Sequence, residues 1–328
     1  MSAPFFSIGI PTFNRKEYLR QTLDAVLAQS FADFEVLIHD NASSDGTQEM
    51  LASNYSDPRI RYHRHPKNLG AAANIAGLAN TADGEFIIIN QDDDLLHRDF
   101  LLRCHEAVAG KPEVAMYGCP VWREQHGRGY SSRLLRTNEG YVHEFMLQDC
   151  PIYMDGGRMA VSLLNLSYYF LHPTIALRRQ ALQKAGGYVL RDDALIDIIT
   201  EARVLLQGNF AYDPRPGAMF RDHPNNEWKR YDRTGKKRMM GKTLQCVLKD
   251  IQQSVPGWNA HLEAELRGYS RQDMELALRE WTTCAAPDII IQKGLQELRS
   301  RNKGHAWKFA TRMLRKLGVR NYLKYGLH

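Results

Sequence analysis

Within its first ninety residues the chain repeats one pattern: a short apolar run, then a stretch of helical spacing. The runs at 5–10, 34–39, 60–63 and 85–89 are four to six residues long and closed by polar or turn residues, which reads as buried strand. Between them, 16–28 places Tyr18, Leu19, Leu23, Val26 and Leu27 at helical spacing, and 47–54 and 68–79 read as two further helices. Strands alternating with helices over short connections require a mostly parallel sheet with right-handed crossovers. The fold class is therefore α/β. The polar turns at 40–46 and 90–94 both follow the carboxyl ends of apolar strands, the edge at which open α/β sheets bind ligands. Two acidic clusters are thus expected to face one crevice.

Beyond about residue 110 the pattern loosens. Residues 175–187 read as a helix ended by glycines, 194–207 as a second helix, 215–226 as a Pro-rich loop, and helical periodicity dominates from about 239. This divides the chain into 1–225 and a helical region, 226–328. Charge divides it at the same place. Residues 1–224 carry 22 Lys/Arg against 27 Asp/Glu, a net of −5, whereas 225–328 carry 21 against 10, a net of +11.

Several classes are excluded. At 328 residues, 44% hydrophobic and 24% charged, the chain can bury an ordinary core and is not disordered. No basic leader precedes the run at 5–10, and no stretch of about 18 apolar residues occurs, so neither a secretion signal nor a spanning helix is expected. Cys104, Cys119, Cys150, Cys246 and Cys284 are scattered, odd in number and never in CxxC spacing. They read as small buried residues in a reducing cytoplasm, not as a disulfide framework or zinc site.

Asp92, Asp93 and Asp94 crowd three carboxylates behind a run of isoleucines. Their repulsion in a dry site is costly unless a cation offsets it. Mg²⁺ or Mn²⁺ takes oxygen ligands, usually one or two carboxylates with substrate phosphates and water. The bland alternative is a solvated turn capping the next helix, and Asp94 is the member best suited to that. Asp40 likewise has two readings: a turn carboxylate bonded to local backbone, or an acceptor for the N3–H of a uracil.

Pro11-Thr12-Phe13-Asn14-Arg15, then Asp40 through Thr47, then Asn68-Leu69-Gly70, then Gln91-Asp92-Asp93-Asp94 resemble the ordered motifs of the family-two glycosyltransferases of GT-A fold, over roughly residues 5–225. The resemblance implies an inverting transferase that uses a nucleotide-diphosphate sugar, most simply a UDP-sugar, and Mn²⁺ or Mg²⁺. Carried over by position, Pro11, Thr12, Asn14 and Arg15 lie along the nucleotide, Asp40 contacts the base, Asn68 and Asp92 belong to the nucleotide-sugar site, and Asp93 holds the metal. Gln91 stands where the family usually has an Asp; as a neutral group it can still hydrogen-bond the nucleotide sugar. Alternatively the register shifts by one, to Asp92-x-Asp94, and Asp94 holds the metal.

The same resemblance implies a general base about nine residues after a Gly-Gly-aromatic turn. Gly186-Gly187-Tyr188 is followed by Asp192, Asp193, Asp197, Glu201 and Arg203. Aligning the turn and the Arg puts Asp197 on the base and Ile196 where a Glu is usual; the runner-up is Asp193 in the Asp192-Asp193 doublet. Residues 219–224 resemble the family's late Arg-x-His segment. His223 then completes the metal shell or touches the diphosphate, and Arg221 is a candidate for the diphosphate. His172-Pro173-Thr174 and Asp155-Gly156-Gly157-Arg158 fall where such enzymes build the acceptor side, although a structural loop is the simpler reading of both.

Residues 299–328 carry nine Lys/Arg and no acid. Trp307, Ala310, Leu314 and Leu317 recur at helical spacing with cations around them, which reads as a helix on an anionic membrane surface, or one packed on the body or on a second copy. No nucleic-acid module accompanies the charge. The expected protein is a cytoplasmic enzyme, peripheral on the inner face of the membrane, acting on a glycan or lipid-linked acceptor in bacterial surface-glycan assembly. Two rivals differ in class. A sugar-nucleotide nucleotidyltransferase would want a Gly-rich phosphate loop, which 11–15 lacks. A catalytically silent GT-A-like binding or scaffold protein is allowed by Gln91 and Ile196.

Overall fold

The structure, a computed structural model, describes residues 3–125, 128–131, 151–164, 172–224, 226, 229, 231–268, 271–284 and 286–301. Residues 302–328, and with them nearly all of the basic segment, lie outside these.

The first ninety residues are the expected alternation: β1 (Phe6–Thr12), α1 (Lys16–Leu27), β2 (Phe34–Asp40), α2 (Thr47–Asn54), β3 (Ile60–Arg64), α3 (Ala71–Asn80), β4 (Phe86–Ile89). β1, β2 and β4 are buried at every residue, which is why they are near-continuous apolar runs. β3, β2, β1 and β4 lie side by side in parallel, so the chain steps one way from β1 to β3 and then returns to the other side of β1. That reversal creates a crevice between the ends of β1 and β4. Pro11 helps open it. The Gly9 carbonyl accepts from Asn90 N–H at 2.8 Å, so by strand alternation Pro11 also faces β4 and has no N–H to give. Pairing with β4 ends at Gly9↔Ile89, while pairing with β2 continues to Thr12↔Asp40.

β5 (Leu95–Leu96), α4 (Phe100–Val108), β6 (Val114–Gly118), β7 (Val121–Gln125), β8 (Arg128–Ser131), β9 (Ile152–Met154) and α5 (Gly156–Leu163) follow. Two expectations are corrected here. Residues 175–187 are not one helix: β10 (Ile175–Arg178) inserts antiparallel between β4 and β6, and only α6 (Arg179–Lys184) is helical. The β-branched, fully buried start of that segment fits a central strand better than a helix face. Residues 215–226 are not simply loop: β12 (Ala218–Arg221) pairs antiparallel with β5 and parallel with β7. Between these corrections stand α7 (Ile196–Leu205) and β11 (Asn209–Tyr212); β11 lies between β6 and β9, and β9 is the edge of the eight-stranded sheet.

The remainder is helical: α8 (Arg233–Ser254), α9 (Trp258–Gly268), α10 (Arg271–Thr283) and α11 (Asp288–Arg301). Leu244, Val247 and Ile251 of α8 and Trp281 of α10 join the same apolar cluster as Ala160 of α5 and Ile198 of α7. Among the described residues no helix is long and apolar enough to cross a membrane.

Candidate functional site

The crevice at the β1/β4 ends has a volume of about 310 Å³ and is lined by Arg15, Gln91, Asp93, Asp94, His172, Asp192 and Asp197, among others. The acidic turn after β4 is its floor. Asp92, Asp93 and Asp94 are all buried. Thr12, the last residue of β1, donates its hydroxyl to Asp92 Oδ2 at 2.8 Å. Arg15 Nη1 reaches both Asp92 Oδ1 at 2.9 Å and Asp93 Oδ2 at 2.6 Å. Burial pushes the Asp92 carboxyl up to about 6, with the Arg15 charge opposing and the Asp93 charge adding. Asp94 lies well above the usual carboxylate range because it is buried and faces Asp93.

Three side chains of α1 that the sequence did not mark as site residues hold this turn. Thr22 donates its hydroxyl to the carbonyls of Asp92 and Asp94, at 2.9 and 3.0 Å. Gln21 accepts from Arg221 Nη1 at 2.5 Å, and the Tyr18 ring lies 4.9 Å from the Arg221 guanidinium. A polar Thr22 inside the Leu19–Leu23–Val26 stripe of α1 was the available signal. Arg221, placed by β12 against β5, donates from Nε to the Asp93 carbonyl, from Nη2 to Thr22 Oγ1 at 3.1 Å, and from its backbone N to Asp94 Oδ1 at 3.2 Å. Its fork is directed at the back of the acidic turn. Two residues on, His223 Nε2 is 2.9 Å from Asp93 Oδ2 and its ring stacks on Tyr18 at 4.5 Å. Asn226 Oδ1 accepts from the His223 backbone N at 2.6 Å.

The second polar turn is built around Asp40. Its Oδ1 accepts from Ser43 N at 2.7 Å and its Oδ2 from the Tyr62 hydroxyl at 2.7 Å. Asn14, at φ 53°, accepts from Ser44 N at 2.8 Å, tying the β1 loop to this turn. Asp45 receives Lys16 N at 2.8 Å and the Thr47 hydroxyl at 2.6 Å, so one carboxylate anchors the starts of α1 and α2. Asn68 accepts from Asn41 Nδ2 and Gly70 N, both at 2.8 Å.

Asp197 sits in the first turn of α7, on the wall of the crevice. Asp193 is not among the lining residues: it pairs with Arg191 at 2.9 Å and with Lys242, and those bonds hold its carboxyl well below the usual range. Thus Arg15, Gln91, Asp93, Asp94 and Asp197 converge on one space, whereas Asp40, Asn14 and Asn68 form the adjoining turn. Pro11 acts through backbone at the strand ends.

The donor set suits a hard divalent cation held jointly with substrate. Among the described residues no group of three or more His, Cys, Asp or Glu side chains is arranged to hold a metal alone. Asp93 with His223 offers one carboxylate oxygen and one imidazole, the partial shell such ions accept when phosphates complete it.

A family model described as glycosyl transferase family 2 matches residues 7–186. Among curated proteins, the abequosyltransferase RfbV of Salmonella typhimurium is 42% identical over 100 residues, covering 29% of this chain and 30% of its own. Glycosyltransferase GlyG of Streptococcus pneumoniae is 24% identical over 237 residues, covering 68% and 75%. The chain matches 30% or less of the length of the abequosyltransferase and of two Rickettsia glycosyltransferases. Among solved structures, Staphylococcus aureus TarS 1-349 in complex with UDP-GlcNAc superposes with a TM-score of 0.58 at 14% identity, covering 93% of each chain. The mannosyltransferase PcManGT of Pyrobaculum calidifontis, in complex with GDP-Man and Mn²⁺, gives 0.52 at 17% identity, covering 99% and 89%. At such identities the likeness establishes the GT-A fold.

Proposed function

The chain belongs to glycosyl transferase family 2, and from that membership we propose that its crevice moves a sugar from a nucleotide-diphosphate sugar, most simply a UDP-sugar, to a hydroxyl of a glycan or lipid-linked acceptor, with inversion. The observation that carries this reading is the convergence of Arg15, Asp93 and Asp197 on one crevice at the sheet's switch point.

Asp197 takes the proton from the acceptor hydroxyl as its oxygen attacks the anomeric carbon. The bond from that carbon to the diphosphate oxygen breaks, and the electron pair leaves with the nucleoside diphosphate. Base assistance of this kind is worth about 10²–10⁴-fold. Arg15 supplies the cation that faces the diphosphate across the acidic turn. Asp40, expected to contact the base, is fully buried and holds Ser43 N and the Tyr62 hydroxyl, so it shapes the turn beside the nucleotide instead of meeting a base N–H. Arg221 shapes the acidic turn instead of touching the diphosphate. Asp93 and His223 would hold Mn²⁺ or Mg²⁺, which when bound stabilises charge on the leaving diphosphate as a Lewis acid. Gln91, expected at the donor, turns its amide to His172 instead.

A thermal-shift panel of UDP, GDP, CDP and ADP, each with and without Mn²⁺, tests the donor class. The expected result is a metal-dependent rise in melting temperature with UDP that Asp93→Asn abolishes. A panel with no nucleotide-dependent shift contradicts the reading.

A further inference from the structure

Gln91 replaces an acid in the family's motif, and its side chain has a partner that the motif does not anticipate. Its Nε2 lies 3.0 Å from Nδ1 of His172. An amide NH₂ only donates, so Nδ1 is the acceptor and the ring proton sits on Nε2. His172 starts the short turn His172–Thr174, packed against β4 and β5, and is 9% exposed. Its Nε2 is buried with no hydrogen-bond partner among the described residues. A buried donor without a partner is costly, and sites that keep one generally use it. The group that fits is close by. Asp197 lines the same crevice, and its negative charge acts on the His172 ring against the burial that keeps the ring neutral.

We propose that His172 is a positioning residue for Asp197: Gln91 fixes the imidazole as its Nε2–H tautomer, and that N–H donates to the Asp197 carboxylate, orienting it toward the acceptor hydroxyl. The inference rests on the reading of Asp197 as the base. It also explains Gln91. An aspartate at that place would accept from Nδ1–H and leave Nε2 without a proton, so the amide and the histidine work only as a pair.

Two arms test the pair. In ¹⁵N-histidine spectra of the full chain, with and without UDP and Mg²⁺, the resonances lost in His172→Phe identify this ring. They are expected as the Nε2–H tautomer, moved by Asp197→Asn and mixed with the Nδ1–H form in Gln91→Leu. A ring protonated on Nδ1, or one that Asp197→Asn leaves unmoved, overturns the proposal. In hydrolysis of a panel of UDP-sugars, His172→Phe is expected to lower kcat about 10- to 100-fold with KM within about twofold, as for a misaligned reacting group. His172→Gln, which returns an N–H near Nε2, is expected to recover most of that loss. Unchanged kcat in His172→Phe also overturns the proposal. Wild-type protein that hydrolyses no nucleotide sugar would instead sink the transferase reading, and the spectra would still decide the Gln91–His172–Asp197 arrangement.

Discussion

His39 shows how closely residues that sequence reading passed over adjoin the site. It is buried on β2 directly before Asp40, with His63 and His65 at ring distances of 5.1 and 5.4 Å. Burial first, then the neighbouring charges of His63, His65 and Arg61, lower its pKa from 6.5 to about 4. The folded state therefore resists a proton that the unfolded chain accepts. The stabilisation is full above pH 6.5 and is lost as pH falls toward 4. Urea denaturation across that window should show stability falling with pH, and His39→Gln should flatten the fall. Arg221 makes the complementary point. Its type and its Arg-x-His setting suggested phosphate binding, but its fork bonds the Asp93 carbonyl, Gln21 and Thr22. A lysine offers no planar fork and cannot replace all three contacts. Arg221→Lys should cost about 1–3 kcal/mol of stability, measured by denaturant midpoint.

At the scale of elements, the β1–α3 stretch was legible because both patterns that identify elements were clean there: buried parallel strands are apolar throughout, and α1 has a single stripe. β10 was not legible, because three apolar residues ahead of Arg178-Arg179 continue smoothly into a helical pattern. Only pairing with β4 and β6 decides such a run. β12 was hidden by the prolines and glycine before it, yet it carries Arg221 and His223 to the acidic turn. Sequence spacing located the acids; it could not show that Thr22 and Tyr18 on α1 complete their surroundings, since those contacts cross about 70 to 200 residues of chain. Packing between elements leaves equally little room before β4. A Cβ on Gly84 would come within 2.5 Å of Ser7 N and 2.7 Å of Phe6 C, both backbone atoms of β1. Gly84→Ala should therefore cost about 1–3 kcal/mol in an equilibrium unfolding experiment, despite the small volume added.

For the whole molecule, the charge split acquires a structural meaning. The acidic portion supplies every carboxylate that lines the switch-point crevice, and these are only a few of its total; Asn226, Tyr231 and Met239 of the basic portion complete the wall. The helices of the basic portion pack against α5 and α7, so the element that carries Asp197 is supported from behind by Leu244, Val247 and Ile251. The GT-A fold and family membership support a nucleotide-sugar site at the strand ends; in the proposed mechanism Asp197 and the Gln91–His172 pair serve the transfer. The most direct measurement is release of nucleoside diphosphate from a panel of UDP- and GDP-sugars, for wild type, Asp93→Asn and Asp197→Asn, with Mn²⁺ present. The account predicts turnover by the wild type and losses of about 10²-fold or more in both variants, with Asp197→Asn still binding the nucleoside diphosphate. Wild-type turnover that survives in Asp197→Asn, or no turnover of any nucleotide sugar, would contradict it.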